Sequence, residues 1–441
     1  MMRGGSLWSI CLALVAGAAV GFLGCAPQVG VQRGPSPLLM SEESGDSDAA
    51  FRIPKSLLSK KPFSIANEIG VGTRAWGDES MGFVGDPRKR PKAGEFNPAD
   101  LQMAYNTLVE AGVTFFDTAD VYGCKSIKEH MSSEQLLGRF GEENYEERAQ
   151  VATKYTPVLW TNLKAGGGLR AGRRAVANAL QQSCDRLGVA YVDLYQLHFP
   201  FPYIGGLSAI AEGMSRARDR GLCRAVGVSN MNAAQVRDFH DKLSKWDVPL
   251  ASNQVEFSLI NQDSYEDGTI AECKRLGIVV IAHTPLAKGL ATGVYTAANP
   301  TGGKTGAPKY SYKDLAPLMP VHQALADVAK LVSARLSEDE EAPVRKRCII
   351  QSMHSASPEL FPHCHVDTLS CQVTTTQVSL NYIRAKGIVP IPGVTSRAEA
   401  EEVAGCLGWR LNGEEVEALD DGYRAYKKGT SGKTVSTVLT F

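Results

Sequence analysis

Asp117, Tyr122, Lys154 and His198 together have the side chains needed for proton transfer to a carbonyl oxygen. The first two lie in Phe115-Phe116-Asp117-Thr118-Ala119-Asp120-Val121-Tyr122-Gly123, an apolar run that ends abruptly in Asp, with Gly shortly after. Such a run reads as a buried strand delivering a carboxylate to a loop, with Tyr122 in reach of the same loop. A buried carboxylate needs a cationic partner or hydrogen bonds. Lys154, closing the apolar run that starts at Gln150, is that cation. Paired with Asp117, it would set positive charge beside the Tyr122 hydroxyl and lower its pKa from the ordinary value of about 10. Tyr122 would then act as general acid when a hydride reaches the carbonyl carbon, and as base in reverse. His198, at the end of an alternating run from Val192, would orient or polarise the oxygen.

Bringing four such groups together requires elements that end on one face. Strands are expected at Asn67 to Ala75 (with its loop), Val113 to Asp117, Gln150 to Lys154, Val192 to His198, Arg224 to Val228, Ala251 to Glu256, Ile278 to Ala282 and Ile388 to Pro392. Helical patterns separate seven of these from the next. Asn97 caps and Pro98 opens the first, where Leu101, Ala104, Leu108 and Ala111 share a face and Gly112 stops it. Ser132 to Gln135 opens another, and helices are also expected over Arg170 to Leu187, Leu207 to Ala217, Ala233 to Leu243, Ile270 to Leu276 and from Pro320. Continuous apolar strands alternating with helices build a parallel sheet covered on its outer face. Eight such units close into an α/β (β/α)8 TIM barrel, whose sites lie at the C-terminal strand ends. Asp117, Lys154, His198, Ser229, Asn230, Gln254 and Thr284 all fall at or near those ends. A doubly wound sheet would need a Gly-rich fingerprint after its first strand, and Gly70-Val71-Gly72 lacks the rest of it.

The 441 residues, 44% of them apolar, are enough for one large core. Lys+Arg and Asp+Glu number 47 each, so no basic face points to nucleic acid. Ten Cys without CxxC pairs do not make a disulfide framework; Cys184, Cys273 and Cys406 fit helical patterns as small buried thiols. The first 50 residues read as a leader outside the fold. One Arg precedes an almost wholly apolar stretch, Leu7 to Leu23, laid out as a signal peptide or a single anchor. Cys25 to Leu39 is basic, Ser- and Pro-containing and free of acid. A bipartite leader of this kind would direct the chain to a plastid; ordinary secretion or an N-terminal anchor is the alternative. The barrel is expected within 51–441, with no membrane role once mature.

Asp117-Thr118-Ala119-Asp120-Val121-Tyr122-Gly123, Val151-Ala152-Thr153-Lys154, Asp193-Leu194-Tyr195-Gln196-Leu197-His198, Gly227-Val228-Ser229-Asn230 and Asn253-Gln254-Val255-Glu256 resemble, in order, the motifs of the aldo-keto reductases. The resemblance runs from about residue 64 to 425, and the plastid branch of plants and algae is similar in the Ser132-Ser133-Glu134 loop and in Gly405 to Trp409. It implies a (β/α)8 barrel that binds NADP(H), with Asp117, Tyr122, Lys154 and His198 as catalytic tetrad and a small carbonyl compound as substrate. It also implies that Ser229, Asn230 and Gln254 hold the cofactor carboxamide. Thr284, Pro285 and Leu286 would cover the pyrophosphate, and Gly393, Thr395 and Arg397 would lie at the adenosine end, Arg397 towards a 2′-phosphate. His283 stands where the family usually stacks Tyr or Trp on the nicotinamide, and Val403 where an Asn commonly contacts adenine.

Residues 337–373 have no counterpart in that pattern. They hold an acidic run and then Cys348, His354, His363, Cys364, His365 and Cys371, without the short spacing of a metal finger. A disordered surface insertion or a translated intron accounts for them, and no metal is expected. Residues 427–441 read as a flexible tail. Two functions share these motifs: an NADPH-dependent reductase of aldehydes or ketones, and a cofactor-sensing binding subunit like the cytoplasmic β-subunit of potassium channels. A third reading is a barrel whose insertion abolishes activity.

Overall fold

The computed structural model describes residues 63–86, 89–123, 131–142, 149–157, 170–300, 310–338 and 372–430, all within the unit spanning 51–441. The first 50 residues, the Cys/His stretch from Cys348 to Cys371 and residues 431–441 of the expected tail lie outside them; the tail's first residues, 427–429, instead end the helix Gly413–Gly429, where Lys427 is ion-paired with Glu266.

Eight parallel strands follow one another around a single sheet in chain order. They are β1 (Val71–Gly72), β2 (Phe115–Asp117), β3 (Gln150–Tyr155), β4 (Val192–Leu197), β5 (Cys223–Ser229), β6 (Leu250–Glu256), β7 (Val279–His283) and β8 (Val389–Pro390). The sheet closes between its edges: the amides of Gly70 and Gly72 donate to Pro390 O and Pro392 O at 3.0 and 2.9 Å, and Gly72 bridges to Gly393. This is the expected (β/α)8 barrel. The first and last strands are shorter than their sequences foretell. Asn67 and Glu68 take left-handed backbone, φ 56° and 51°, because Asn67 Nδ2 turns aside to cap Gly112 O at 2.7 Å.

Helices cover the outside: α1 (Pro98–Glu110), α2 (Ser133–Glu142), α3 (Gly172–Leu187), α4 (Gly206–Asp219), α5 (Ala233–Ser244), α6 (Thr269–Arg275), α7 (Met319–Glu338), α8 (Thr375–Ala385), α9 (Arg397–Ala404) and α10 (Gly413–Gly429). Asn97 closes a capping box with Asp100, with Pro98 in the first turn, as its sequence requires. Arg170 belongs to no helix; the capping residue of α3 is Ala171. Ser337 and Glu338 complete α7, and the Val373 amide returns to Ser333 Oγ at 2.8 Å. The rest of the stretch 337–373, residues 339–371, lies outside the described residues.

Strand alternation sorts side chains into two cores. Outward residues such as Phe116, Tyr155, Tyr195 and Val226 join the helices in the main core. Inward residues Phe115, Ala152, Leu194 and Ile281 form a separate inner floor with Ile65, Val389 and Ile391. Two residues further along the same strands come Asp117, Lys154, Gln196 and His283. The apolar floor thus carries a polar layer at the C-terminal mouth. Gly70 packs against this floor where no Cβ fits: one would meet Phe115 Cδ1 at 2.4 Å and Phe115 O at 2.8 Å. Gly70→Ala is expected to destabilise the barrel by about 1–3 kcal/mol through overpacking at the closure, read as a lower midpoint in denaturant unfolding.

Candidate active site

At the end of β2, Asp117 is almost wholly buried, and Lys154 on β3 is fully so. The two form an ion pair. Burial alone pulls the Lys154 ammonium down, but the attraction of Asp117 and of the Tyr122 oxygen outweighs it and raises its pKa above the ordinary lysine value. An ammonium has three hydrogens. They go to Asp117 Oδ2, to Thr118 O at 3.0 Å and to Tyr122 Oη at 3.4 Å. The other Asp117 oxygen, Oδ1, accepts from Gln196 Nε2 at 3.0 Å and Gln254 Nε2 at 2.8 Å. Both ions are therefore fully coordinated by the protein.

Tyr122 sits in the loop after β2. Its carbonyl accepts from the Ser133 amide at 3.2 Å and its amide donates to Ala119 O at 3.1 Å. Behind it, Ser133 Oγ lies 2.7 Å from Thr73 Oγ1 and 2.9 Å from Thr118 Oγ1, tying α2 to the first two strand ends. Gly123 has φ 70°, and a Cβ there would meet Trp76 O at 3.0 Å, so this position favours glycine. His198, directly after β4, stands edge-on to the Tyr122 ring with centroids 5.7 Å apart, and Phe199 stacks on it at 4.3 Å. Burial, with the charges of Lys154 and Arg74 and the neighbouring His283, holds the His198 imidazole well below the ordinary histidine range. It is neutral at physiological pH. The four residues foreseen from sequence thus stand side by side.

The remaining expected residues lie at or after the ends of β5, β6, β7 and β8. Ser229 Oγ donates to Gln254 O at 2.9 Å. Asn230, left-handed at φ 59°, donates through Nδ2 to His198 O at 3.1 Å. Its Oδ1 lies 3.0 Å from His283 Nε2, whose other nitrogen is 3.1 Å from Thr284 Oγ1. Two hydrogen bonds in its plane thus clamp the His283 ring. Burial, Lys154 and Arg74 push its pKa down to about 4. Thr284 is left-handed, and Pro285 and Leu286 lead into a turn in which Ala287, Lys288 and Gly289 are left-handed in succession. After the neighbouring β8, Gly393 bridges to Gly72, Thr395 donates to Glu399 Oε2, and Arg397 lies exposed at the start of α9, paired with Glu401 at 2.8 Å.

Sequence reasoning left five residues of this site without a role: Gln196, Asp120, Thr156, Arg170 and Arg74. Gln196 had a usable signal, since it precedes His198 by two positions on the same strand and so shares its face. The Asp120–Arg170 pair joins residues 50 apart, and no local pattern announces it.

Asp117→Asn leaves Lys154 buried without a counter-ion. It is expected to destabilise the fold by about 3–5 kcal/mol, measured by denaturant unfolding. His198 and His283 are held neutral in the fold, whereas the unfolded chain protonates near pH 6.5. The unfolded state therefore binds more protons as pH falls below about 6.5, and stability declines from there towards the His283 value of about 4. His283→Asn should make that acid limb shallower in a pH series of unfolding midpoints.

The model of the aldo/keto reductase family matches residues 68–424. Among individual proteins, the chain is 30% identical over 369 residues to the chloroplastic pyridoxal reductase of Arabidopsis thaliana, covering 81% of this chain and 83% of that one. It is 28% identical over 376 residues to an uncharacterized oxidoreductase of Mycobacterium tuberculosis, covering 85% and 94%. Of solved structures, a glycerol dehydrogenase from Gluconobacter oxydans superposes with a TM-score of 0.57 at 20% identity, covering 86% of this chain and 97% of that one. A thermostable aldo-keto reductase in complex with the inhibitor epalrestat gives 0.53 at 22%, covering 80% and 94%; both show the fold. With the family model spanning the whole barrel and the ion pair at its mouth, the chain belongs to the aldo/keto reductase family.

Proposed function

We propose that this protein reduces aldehydes or ketones to alcohols with NADPH, with Tyr122 as the proton donor. One observation carries the reading: Lys154 donates to Tyr122 Oη. A phenolic oxygen that accepts a hydrogen bond keeps its own proton for donation elsewhere, and the same ammonium stabilises the phenolate once that proton has left. Asp117 holds Lys154 in place and charged. His198, neutral and edge-on to Tyr122, positions the substrate oxygen.

The donor set fits NADP(H). The left-handed turn over residues 287–289, whose Ala287 and Gly289 amides donate to Thr284 O and Leu286 O, presents the exposed Lys288, whose ammonium suits an anion such as a pyrophosphate. Arg397, at the N-terminus of α9, offers a guanidinium to a phosphate. Ser229, Asn230 and Gln254 lie next to the Asp117–Lys154 pair and suit a carboxamide, with His283 clamped beside Asn230. The bound cofactor supplies the hydride. The protein supplies orientation, an ordered proton and a counter-charge.

The test follows NADPH oxidation by residues 51–441 with a panel of small aldehydes. Pyridoxal is included because the Arabidopsis relative is named for its reduction. Wild type is expected to turn over repeatedly, and Tyr122→Phe to lose about 10²–10⁴-fold in kcat with cofactor binding retained. Equal rates in the two proteins would remove Tyr122 as the acid. A single slow turnover would instead fit a cofactor-sensing subunit. The apolar stretch 7–23 and the acid-free stretch 25–39, with a chloroplastic relative, support delivery to a plastid. A fluorescent fusion of residues 1–50 imaged in an algal cell is expected to enter that organelle; secretion of the fusion would refute it.

A further inference from the structure

His198 has a neighbour that the tetrad does not use. Its Nδ1 lies 3.2 Å from Thr156 Oγ1, and the same hydroxyl lies 2.8 Å from Asp120 Oδ1. Asp120 Oδ2 accepts from the Thr156 amide at 3.3 Å and is ion-paired with Arg170, whose Nη1 also donates to Thr156 O at 2.9 Å. All four residues are buried. Chain geometry explains the meeting: Thr156 follows Lys154 by two positions and shares its inward direction, and Asp120 lies three residues beyond Asp117 in the loop that carries Tyr122.

The direction of each hydrogen bond follows by counting protons. Asp120, held by a guanidinium, is a carboxylate and has none to give. The single hydroxyl proton of Thr156 therefore goes to Asp120 Oδ1. Towards the imidazole, Thr156 Oγ1 is left only with lone pairs, so His198 Nδ1 must carry the hydrogen between them. We infer that Asp120 and Thr156, anchored by Arg170, fix His198 as the Nδ1–H tautomer and leave Nε2, on the other side of the ring, as a hydrogen-bond acceptor.

This rests on the reductase reading and changes one part of it. A bare Nε2 does not donate to a carbonyl oxygen, so it does not polarise the substrate; Tyr122 is then the donor of the pair. Nε2 instead takes a hydrogen bond from a hydroxyl, that of Tyr122 or of the product alcohol. Protonation of His198 would abolish the distinction, and its burial beside Lys154 opposes that. Asp120, Thr156 and Arg170 act through His198 and are positioning residues.

The test is a two-bond ¹H–¹⁵N correlation spectrum of the full chain labelled with ¹⁵N-histidine at neutral pH, with His198 assigned by its loss in His198→Gln. In wild type the His198 Nδ1 signal should be pyrrole-like and the Nε2 signal pyridine-like. Thr156→Val should shift the pattern to the Nε2–H form, and Thr156→Ser, which keeps the hydroxyl, should retain the wild-type pattern. A pyridine-like Nδ1 in wild type would overturn the inference without any variant. An unchanged pattern in a folded Thr156→Val would remove Thr156 from it. The spectra need no turnover, so failure of the reductase reading would appear separately in the NADPH assay.

Discussion

The ion pair between Asp117 and Lys154 is the constraint to which the rest of the mouth is fitted. Two ions are taken out of water at the end of the barrel interior, a transfer that costs several kcal/mol per ion unless each finds a complete set of partners. Here the sets are complete. The ammonium gives one hydrogen to the carboxylate, one to a backbone carbonyl and one to Tyr122, and the second carboxylate oxygen takes two amide donors. These partners come from β2, β3, β4 and β6 and from the loop after β2. The geometry of the ion pair and the closure of the barrel top are therefore one arrangement, and loosening either loosens the other.

The pair is not isolated. Asp120 with Arg170 lies beside it, and on the outer face of β3 the buried Glu134 accepts from Thr153 Oγ1 at 2.6 Å and from Arg186 Nε at 2.6 Å. Thr153 and Lys154 on β3 and Thr156 just beyond it thus reach three separate carboxylates. Strand alternation separates Thr153 from Lys154, because consecutive residues face opposite sides; Lys154 and Thr156 share the inward side and stand two residues apart along the chain. Each carboxylate is matched with a cation from a different part of the chain, so each fixes a different element: Lys154 the second strand end, Arg170 the segment before α3, Arg186 the packing of α2 on α3.

Phe199, Phe201 and Ile204 are exposed on the loop after His198. Phe199 also stacks on the His198 ring, so the apolar rim meets the polar layer at that imidazole. His283 differs from a stacking aromatic in being gripped through its ring edge by Asn230 and Thr284. Its orientation is set by hydrogen bonds, whereas a Tyr or Trp there would rely on ring area.

The (β/α)8 order was legible in the chain because it rests on local patterns, and so was the set of polar residues that the strands bring to one mouth. Apolar runs ending in Asp117, Lys154 and His198 announce strands that deliver polar groups to one face, and Asn97 with Pro98 and Asp100 writes its helix start within four residues. The short β1 was not legible, because Asn67 leaves the strand conformation to bond Gly112, 45 residues away. Nor were the partners of the second carboxylate. Asp120 reads as one more polar residue in a loop, Thr156 as a residue past a strand end and Arg170 as the start of a helix. Their link to His198 depends on where three strand ends and the segment before α3 meet once the barrel closes. By itself the sequence determined the side chains proposed for the chemistry and the elements that present them. Only the tertiary structure decided how their protons are ordered, because hydrogen-bond direction depends on every partner around a group, and those partners come from distant parts of the chain.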